Sequence, residues 1–503
     1  MDEKQHPIQN LIDIRKDKLE KLISLQINPY PNKFDFNITF NDVIKKYSEL
    51  KEGEVSKDVV KIKGRIILRR EMGKSIFCHI QEEIQKLQIY LKKDIVGEEK
   101  FKQFLELIDI GDIIGVEGEV FKTKTGELTV NTKNYFLLSK SLRPLPEKWH
   151  GLKDVEIKYR QRYLDLISNP ETVKIFYSRS NIIKTIRKIL DKKGFLEVET
   201  PMIQSLPGGA VAQPFKTFHN TLGEDFYLRI APELYLKMLL VGGFEKIYEL
   251  GKSFRNEGID RFHNPEFTMV EIYQAYADYN DMMELTKEIF LGCCDVLGIK
   301  DKLEYQISED VKYEIEINNF QKFTMEELFD RYVKVSLDKF LKNEVEEQFY
   351  KSLDIETYEV QPNGDKVKKT TKKLVDDVFS VCVQPYLINP TFVIDYPTEL
   401  SPLAKYKYSD KNITERFEFY VATQEIANAY SELNDPIEQQ KRFLAQKTSE
   451  EKMALNLEFI TALEYGMPPA GGLGIGIDRL CMLLTNTMSI RDVIFFPLLK
   501  KLK

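Results

Sequence analysis

The sequence predicts an α+β protein in two main parts. A small all-β domain lies near the N-terminus, and a larger domain is built on a mainly antiparallel sheet with flanking helices. Three observations carry this expectation. Hydrophobic residues alternate with period two in a series of short runs beginning at Val59. Proline-marked LRPLPEKWHG then closes that stretch. Beyond it, helical and strand-like segments follow one another without the regular βαβ rhythm of a doubly wound sheet.

The elements follow in order. Residues 8–25, IQNLIDIRKDKLEKLISL, carry Leu11, Ile14, Leu19, Leu22 and Ile23 on an irregular apolar side. That predicts a helix, which INPYPNKF ends; residues 1–55 are read as a helical N-terminal segment. Next come VVKIKGRIIL, SIFCHI, KLQIYL, DIIGVEGEVF and GELTVNTKNYFLL, with a helical EEKFKQFLELI before the fourth. In residues 56–145 this order fits a Greek-key barrel of the OB type, and another small β domain stays open as an alternative. Residues 146–503 form the larger domain. It starts with helices at YRQRYLDLI and IFYSRSNIIKTIRKILDKKG, the second ended by Gly194. Its sheet elements are KIYELGKSFRN, EFTMVEIYQAY, TFVIDYP, FEFYVATQEIANAY and GGLGIGIDRLCMLL. YEVQPNGDKVKKTTKK, Tyr358 to Lys373, reads as an exposed insertion around a Pro-Asn-Gly-Asp turn.

Of the 503 residues, 30% are charged and 43% hydrophobic, which suits a soluble protein. Apolar runs such as LKMLLVGGF are too short for a bilayer, so no membrane partner is expected. MDEKQHPIQN has no apolar signal core, and a cytoplasmic location is the expectation. A net charge of −6 argues against nucleic-acid binding over the whole surface. It leaves room for a local basic face in KIKGRIILRREMGK, Lys61 to Lys74. Cys78, Cys293, Cys294, Cys382 and Cys481 make no CxxC pair and read as reduced core thiols.

Candidate chemistry gathers in three segments. In FRNEGIDRFHNPEFTMVE, charges precede a strand whose alternation puts Phe267, Met269, Glu271 and Tyr273 on one face. Val270 and Ile272 take the core face. The loop of this long hairpin brings Arg255, His263 and Phe267 towards one ligand. A guanidinium suits phosphate and an aromatic face suits a base; a charged surface hairpin with Phe267 in a core is the plain alternative. FEFYVATQEIANAYSELND aligns Asn428, Tyr430 and Glu432, whereas Glu425 has the opposite parity and joins them only through a β-bulge. Carboxylates beside a triphosphate call for divalent cations between them. YGMPPAGGLGIGIDRL has Gly471, Gly472, Gly474 and Gly476, which allow close backbone approach, followed by Arg479. There is no GxxxxGK[ST] loop, so arginines and metal would hold a nucleotide.

These segments resemble the class II lysyl-tRNA synthetases over nearly the whole chain. GFLEVETPMI, Gly194 to Ile203, resembles motif 1, and FRNEGI with HNPEFTMVEIY resembles motif 2. GLGIGIDRL resembles motif 3, while PGGAVAQPF, YLRIAPELYLK and EIANAYSELND are similar to the lysyl branch. The resemblance implies activation of L-lysine by ATP with Mg2+, giving lysyl-adenylate, then transfer to tRNA(Lys) by a homodimer joined through motif 1. It implies catalytic roles for Arg255 and Arg479. Glu257, His263, Phe267 and Gly476 join them around ATP, and Glu418 and Glu425 hold the metal. Gly209, Glu233, Glu271, Tyr273, Asn428, Tyr430 and Glu432 line the lysine site, with Tyr273 and Glu432 at the ε-ammonium. Arg70, Phe77 and Glu127 meet the anticodon. A lysine pocket needs acid at its floor and aromatic surface along the stem, which these residues supply. Two other readings have less behind them. A ligase acting on a non-tRNA acceptor has no use for the N-terminal β domain, and a non-catalytic scaffold has none for Arg255, Glu425 and Arg479 together.

Overall fold

A computed structural model describes residues 5–146, 154–206, 208–209, 212–360, 365–445 and 450–501. They fall into two compact units, one ending at Lys174 and one beginning at Ile175.

In the first unit, helix α1 (Gln5–Ser24) precedes strands β1 (Val55–Met72), β2 (Ser75–Glu82) and β3 (Gln85–Lys92). Helix α2 (Glu98–Leu107) follows, then β4 (Ile113–Lys122) and β5 (Leu128–Ser139). All five predicted strand runs and the helix before the fourth are present. Strand β1 is antiparallel to β2 and to β4, β2 is antiparallel to β3, β3 is parallel to β5, and β5 is antiparallel to β4. Every strand therefore has a hydrogen-bonded neighbour on each side over part of its length. The period-two pattern becomes a period-two burial: Ile76, Cys78 and Ile80 are buried, and the residues between them on β2 are half-exposed.

The basic run from Lys61 to Lys74 is not the free cationic face that composition suggested. Arg69 donates to the carbonyls of Leu105 (2.9 Å) and Ile108 (2.6 Å), groups at the end of α2 that lack helical partners. Arg65 donates to Gly111 O (2.8 Å), Lys63 pairs with Glu82, and Lys61 lies over the Phe34 and Phe136 rings. Arg70, by contrast, is exposed.

The second unit holds an eight-stranded sheet. In chain order its strands are β6 (Leu196–Glu197), β7 (Lys246–Phe254), β8 (Glu266–Ala275), β9 (Gln321–Thr324), β10 (Thr391–Ile394), β11 (Arg416–Val421), β12 (Gln424–Ser431) and β13 (Ala470–Gly476). In space the order is β9-β10-β11-β12-β13-β8-β7-β6. The two outermost pairings are parallel and the rest antiparallel, matching the mainly antiparallel sheet expected from the sequence. Helices α3 (Pro170–Lys192), α4 (Glu233–Val241), α5 (Tyr279–Val296), α6 (Thr371–Cys382) and α7 (Ile477–Leu484) accompany it. Gly194 follows α3 with φ +79°, a conformation that costs glycine nothing. Val270, Ile272, Ala427, Ala429, Leu473 and Ile475 form the core face of the central strands, with α5 and α7 packed on it. The residues between them face the other way.

The insertion departs from the expectation. Tyr358–Val360 and Lys366–Lys368 pair as an exposed hairpin; of its predicted turn, residues 362–365, all but Asp365 lies outside the described residues, as does the linker after Pro146. Its C-terminal end is not exposed loop. Thr370 caps α6, accepting from Lys373 N at 3.3 Å, and Leu374, Val375, Val378 and Phe379 then bury one helical face. The apolar spacing that drives this begins just past the polar segment, which hid it. Cys78, Cys293, Cys294 and Cys481 are free and buried, and burial raises their thiol pKa values; Cys382 is half-buried. Among the described residues no helix is long and apolar enough to cross a membrane.

Candidate active site

The outward residues of β8, β12 and β13 line a cavity of about 930 Å³ together with α4, the loop after β7 and the start of α6. That volume is enough for a nucleotide and a small second ligand. Strands β7 and β8 form the predicted long hairpin, with Phe254 opposite Glu266 as its last pair. The loop between them returns Arg255 to the sheet, its N–H donating to Pro265 O at 2.8 Å. Behind the site, Asp478 of α7 is buried. It accepts from Thr268 N (2.6 Å) and pairs with Arg179 of α3 (2.6 Å), which fixes the helix that carries Arg479.

One end of the cavity collects guanidinium groups. Arg255 lies 5.0 Å from the Phe267 ring centroid, and its buried Nε has no hydrogen-bond partner among the described residues. Burial lowers its pKa, while Glu257, Glu425 and Glu271 act to raise it. Arg479 donates to Glu425 Oε2 (3.2 Å) and to His263 Nε2 (3.1 Å). Since an arginine can only donate, Nε2 accepts and the ring proton sits on Nδ1, facing Asp260 Oδ2 at 2.8 Å. Glu257 is exposed at the rim, and Gly476, the last residue of β13, is the N-cap of α7.

The β-bulge that Glu425 required is present. Phe419 pairs with Ala427 but Tyr420 pairs with Glu425, so Ile426 is extra, and both Ile426 and Ala427 are buried. Glu425 thereby shares the cavity face with Asn428 and Tyr430. Burial raises the Glu425 pKa, and the neighbouring Glu418 carboxylate raises it further. Glu418 sits behind Glu425 rather than on the cavity wall. Its oxygens accept from Arg416 (2.5 Å), Tyr396 (2.8 Å) and Tyr420 (2.6 Å). Two crowded carboxylates suit a hard cation that takes its remaining oxygens from phosphate. They make no closed cage, and among the described residues no group of three or more His, Cys, Asp or Glu side chains could hold a metal.

At the other end lie three buried acids, Glu233, Glu271 and Glu432. Burial pushes the pKa of Glu271 and of Glu432 up to about 8; Lys237 opposes the shift at both, and Glu233 adds to it. Tyr273 donates to Glu271 Oε2 (3.0 Å) and Tyr430 to Glu233 Oε1 (2.5 Å). Glu432 Oε1 is buried with no hydrogen-bond partner among the described residues. A Cβ on Gly472 would run into that oxygen and into the Tyr273 ring, so only glycine leaves room there. Gly209, at φ +85°, packs by Glu233, where a Cβ would lie 3.3 Å from the Glu233 Cβ. Asn428 accepts from Arg416 Nε at 3.1 Å.

In the first unit Phe77 is half-exposed on the outer face of β2, beside Tyr90 with ring centroids 4.7 Å apart. Arg70 is its cross-strand neighbour. Glu127 takes hydrogen bonds from His79 Nε2 (2.7 Å) and Gln88 Nε2 (2.6 Å).

Every residue expected in the catalytic domain except Glu418 lines the one cavity. Sequence reasoning missed Lys237, whose signal was its place four residues after Glu233 in APELYLK. It missed Arg416, which organises Glu418 and Asn428 from inside a strand pattern. It also missed Thr370, Thr371 and Lys372, cavity residues at the end of the insertion.

The family of tRNA synthetases class II (D, K and N) matches residues 154–500, and an OB-fold nucleic acid binding domain matches residues 60–138. The chain is 51% identical over 504 residues to a lysine–tRNA ligase of Pelotomaculum thermopropionicum, covering 99% of this chain and 96% of that one. It is 49% identical to the lysine–tRNA ligase of Carboxydothermus hydrogenoformans, covering 98% of each. With that of Aquifex aeolicus it shares 51% over 448 residues, 88% of this chain and 73% of the other.

Proposed function

The chain belongs to the class II tRNA synthetases, and from that premise we propose that it is a lysine–tRNA ligase whose cavity joins L-lysine to ATP before transfer to tRNA(Lys). One observation carries the choice of amino acid. Glu233 and Glu432 share one resident cation, Lys237, and burial keeps protons on Glu271 and Glu432 near neutral pH, so an arriving ammonium can displace those protons and pair with the carboxylates. Lysine brings two ammonium groups, and its carboxylate has Arg255 to meet. An aspartate or asparagine site would need basic or neutral groups where these acids stand.

In this reading Glu233 and Gly209 receive the α-ammonium. Glu432 Oε1 and the Tyr273 hydroxyl receive the ε-ammonium, and Glu271, Asn428 and Tyr430 complete the wall. Phe267 and Arg479 take the two faces of adenine, and Glu257 takes its amino group. His263, held by Asp260, meets the outer phosphates near Gly476, and Lys372 adds a cation to that end. Arg255 bridges the lysine carboxylate and the α-phosphate. It holds the nucleophile in line and stabilises the charge that grows on phosphorus. The carboxylate is already ionised, so no side chain need act as nucleophile or base. Pyrophosphate leaves; the terminal ribose hydroxyl of the tRNA then attacks the activated carbonyl, giving up its proton and expelling AMP as the acyl–phosphate bond breaks. Mg2+ fits Glu425 with Glu418 behind it and, when bound, supplies charge neutralisation at the phosphates.

The ring of pairings in the first unit supports a barrel of the OB type over 56–145, after a helical segment at 1–55 and before a catalytic domain at 146–503. There Phe77 stacks on an anticodon base and Arg70 meets the backbone. Glu127, already bonded to His79 and Gln88, presents an ordered edge to a second base. Exposed Leu196, Met202 and Ile203 in the motif 1 stretch support a homodimer through that face. A cytoplasmic enzyme is the reading that goes with this activity. The test is pyrophosphate exchange with each amino acid in turn, then charging of total tRNA. Lysine should be the one amino acid that gives strong exchange, and another preferred amino acid would refute the assignment.

A further inference from the structure

Lys237 is fully buried and has no part in the reaction just described. It lies on α4 four residues after Glu233, so one helical turn brings the two together, Nζ to Oε1 2.6 Å. The same ammonium is 2.5 Å from Glu432 Oε2, just past the end of β12. It also sits over the rings of Tyr430, 5.3 Å, and Phe459, 5.9 Å. The titratable groups around it are Glu233 from its own helix, Glu271 from β8, and Tyr430 and Glu432 from the β12 segment. Burial opposes its charge, and Glu233 and Glu432 outweigh that penalty.

We propose that Lys237 is the positioning residue that makes this pocket selective for an amino acid with two cationic groups. The proposal rests on the lysine-site reading above. Geometry and electrostatics both support it. By engaging Oε2 of Glu432, Lys237 fixes the carboxylate with Oε1 unpartnered beside Gly472, which is where a ligand donor is wanted. By tying Glu233 to the same nitrogen, it sets the distance between the acid that meets the α-ammonium and the acid that meets the ε-ammonium. Its charge also favours the ionised form of the acids around it. Without it the buried acids hold their protons more tightly, and a substrate ammonium has a higher carboxylate pKa to overcome. A neutral acid no longer prefers lysine over an uncharged chain of similar shape.

The test uses the full-length protein and pyrophosphate exchange with lysine and with norleucine from pH 6 to 9. Lys237→Met should raise the KM for lysine at least tenfold and leave the KM for ATP within about twofold. The preference for lysine over norleucine should fall by a similar factor. The acid limb of kcat/KM for lysine should move about one pH unit upward, because a cation that favoured the carboxylates is gone. Lys237→Arg keeps the charge and should keep the wild-type pH limb even if its KM rises. It also carries the test if Lys237→Met does not fold. Equal losses for lysine and norleucine with an unmoved pH limb would overturn the proposal and leave Lys237 a packing residue. A Lys237→Arg limb displaced by a full unit would overturn it as well. Wild-type protein that ignores lysine would instead defeat the lysine-site reading itself.

Discussion

Replacing Glu432 by glutamine removes one ionisable carboxyl group from the amino-acid end of the cavity and changes little of its shape. The side chain is 1% exposed, one oxygen 2.5 Å from the Lys237 ammonium and the other without a partner. Two costs follow. Lys237 keeps Glu233 at 2.6 Å but loses its second counter-charge, a loss of stability of order ~1–3 kcal/mol for a weakened buried charge. The substrate ε-ammonium loses its main anion at a buried position. Deleting one side of such a pair costs several kcal/mol. We predict at least a hundredfold loss in kcat/KM for lysine, equivalent to ~2.7 kcal/mol. The KM for ATP should move far less, since Arg255, Phe267 and Arg479 lie at the other end. Norleucine separates the two costs: it shares any damage to the fold and never used the charge. Pyrophosphate exchange with both amino acids on both proteins is the assay. An equal penalty for lysine and norleucine would refute the reasoning and leave Glu271 as the reader of the ε-ammonium.

Three further outcomes are expected. Arg255→Ala should slow lysyl-adenylate formation by at least ~2 kcal/mol, measured before the steady state, and a near-wild-type rate would remove Arg255 from the mechanism. Phe77→Ala should lower tRNA charging by ~1–3 kcal/mol in kcat/KM with pyrophosphate exchange unchanged; Phe77 points away from the core that Ile76 and Cys78 fill, so equal losses in both assays would count against a stacking role. Glu271 and Glu432 have folded pKa values of about 8, raised by burial above the ordinary carboxylate value. Folded protein thus holds protons that the unfolded chain has lost. Their contribution to stability is complete below the unfolded carboxylate pKa and is lost as pH rises through about 8. Melts at pH 6, 7 and 8 should show Tm falling, saturating lysine should reduce the fall, and calorimetry should detect protons released when lysine binds near pH 7. A lysine-independent slope with no proton release would place the two acids outside the substrate site.

The amino-acid order by itself determined the local elements. Period-two runs could only bury one face as strands, and the Arg255 to Glu271 stretch carried its own hairpin. Alternation placed Phe267, Met269, Glu271 and Tyr273 together, and the parity of Glu425 meant that it could join Asn428, Tyr430 and Glu432 only through a bulge. These are short-range consequences of backbone geometry. Tertiary structure decided which charges remain available to a ligand. Most cations of the Lys61 to Lys74 run serve carbonyls, an acid or aromatic rings inside the first unit, because helix ends and buried acids need donors. Glu418 is turned into a second layer by Arg416, Tyr396 and Tyr420. The polar end of the insertion is drawn into a helix by apolar residues that follow it. Above all, the balance of three acids against Lys237 depends on a helix, two strands and a glycine meeting at one point. Sequence spacing links Lys237 to Glu233, but only the fold brings Glu432 to the same nitrogen, because electrostatics acts through distance in space and not along the chain.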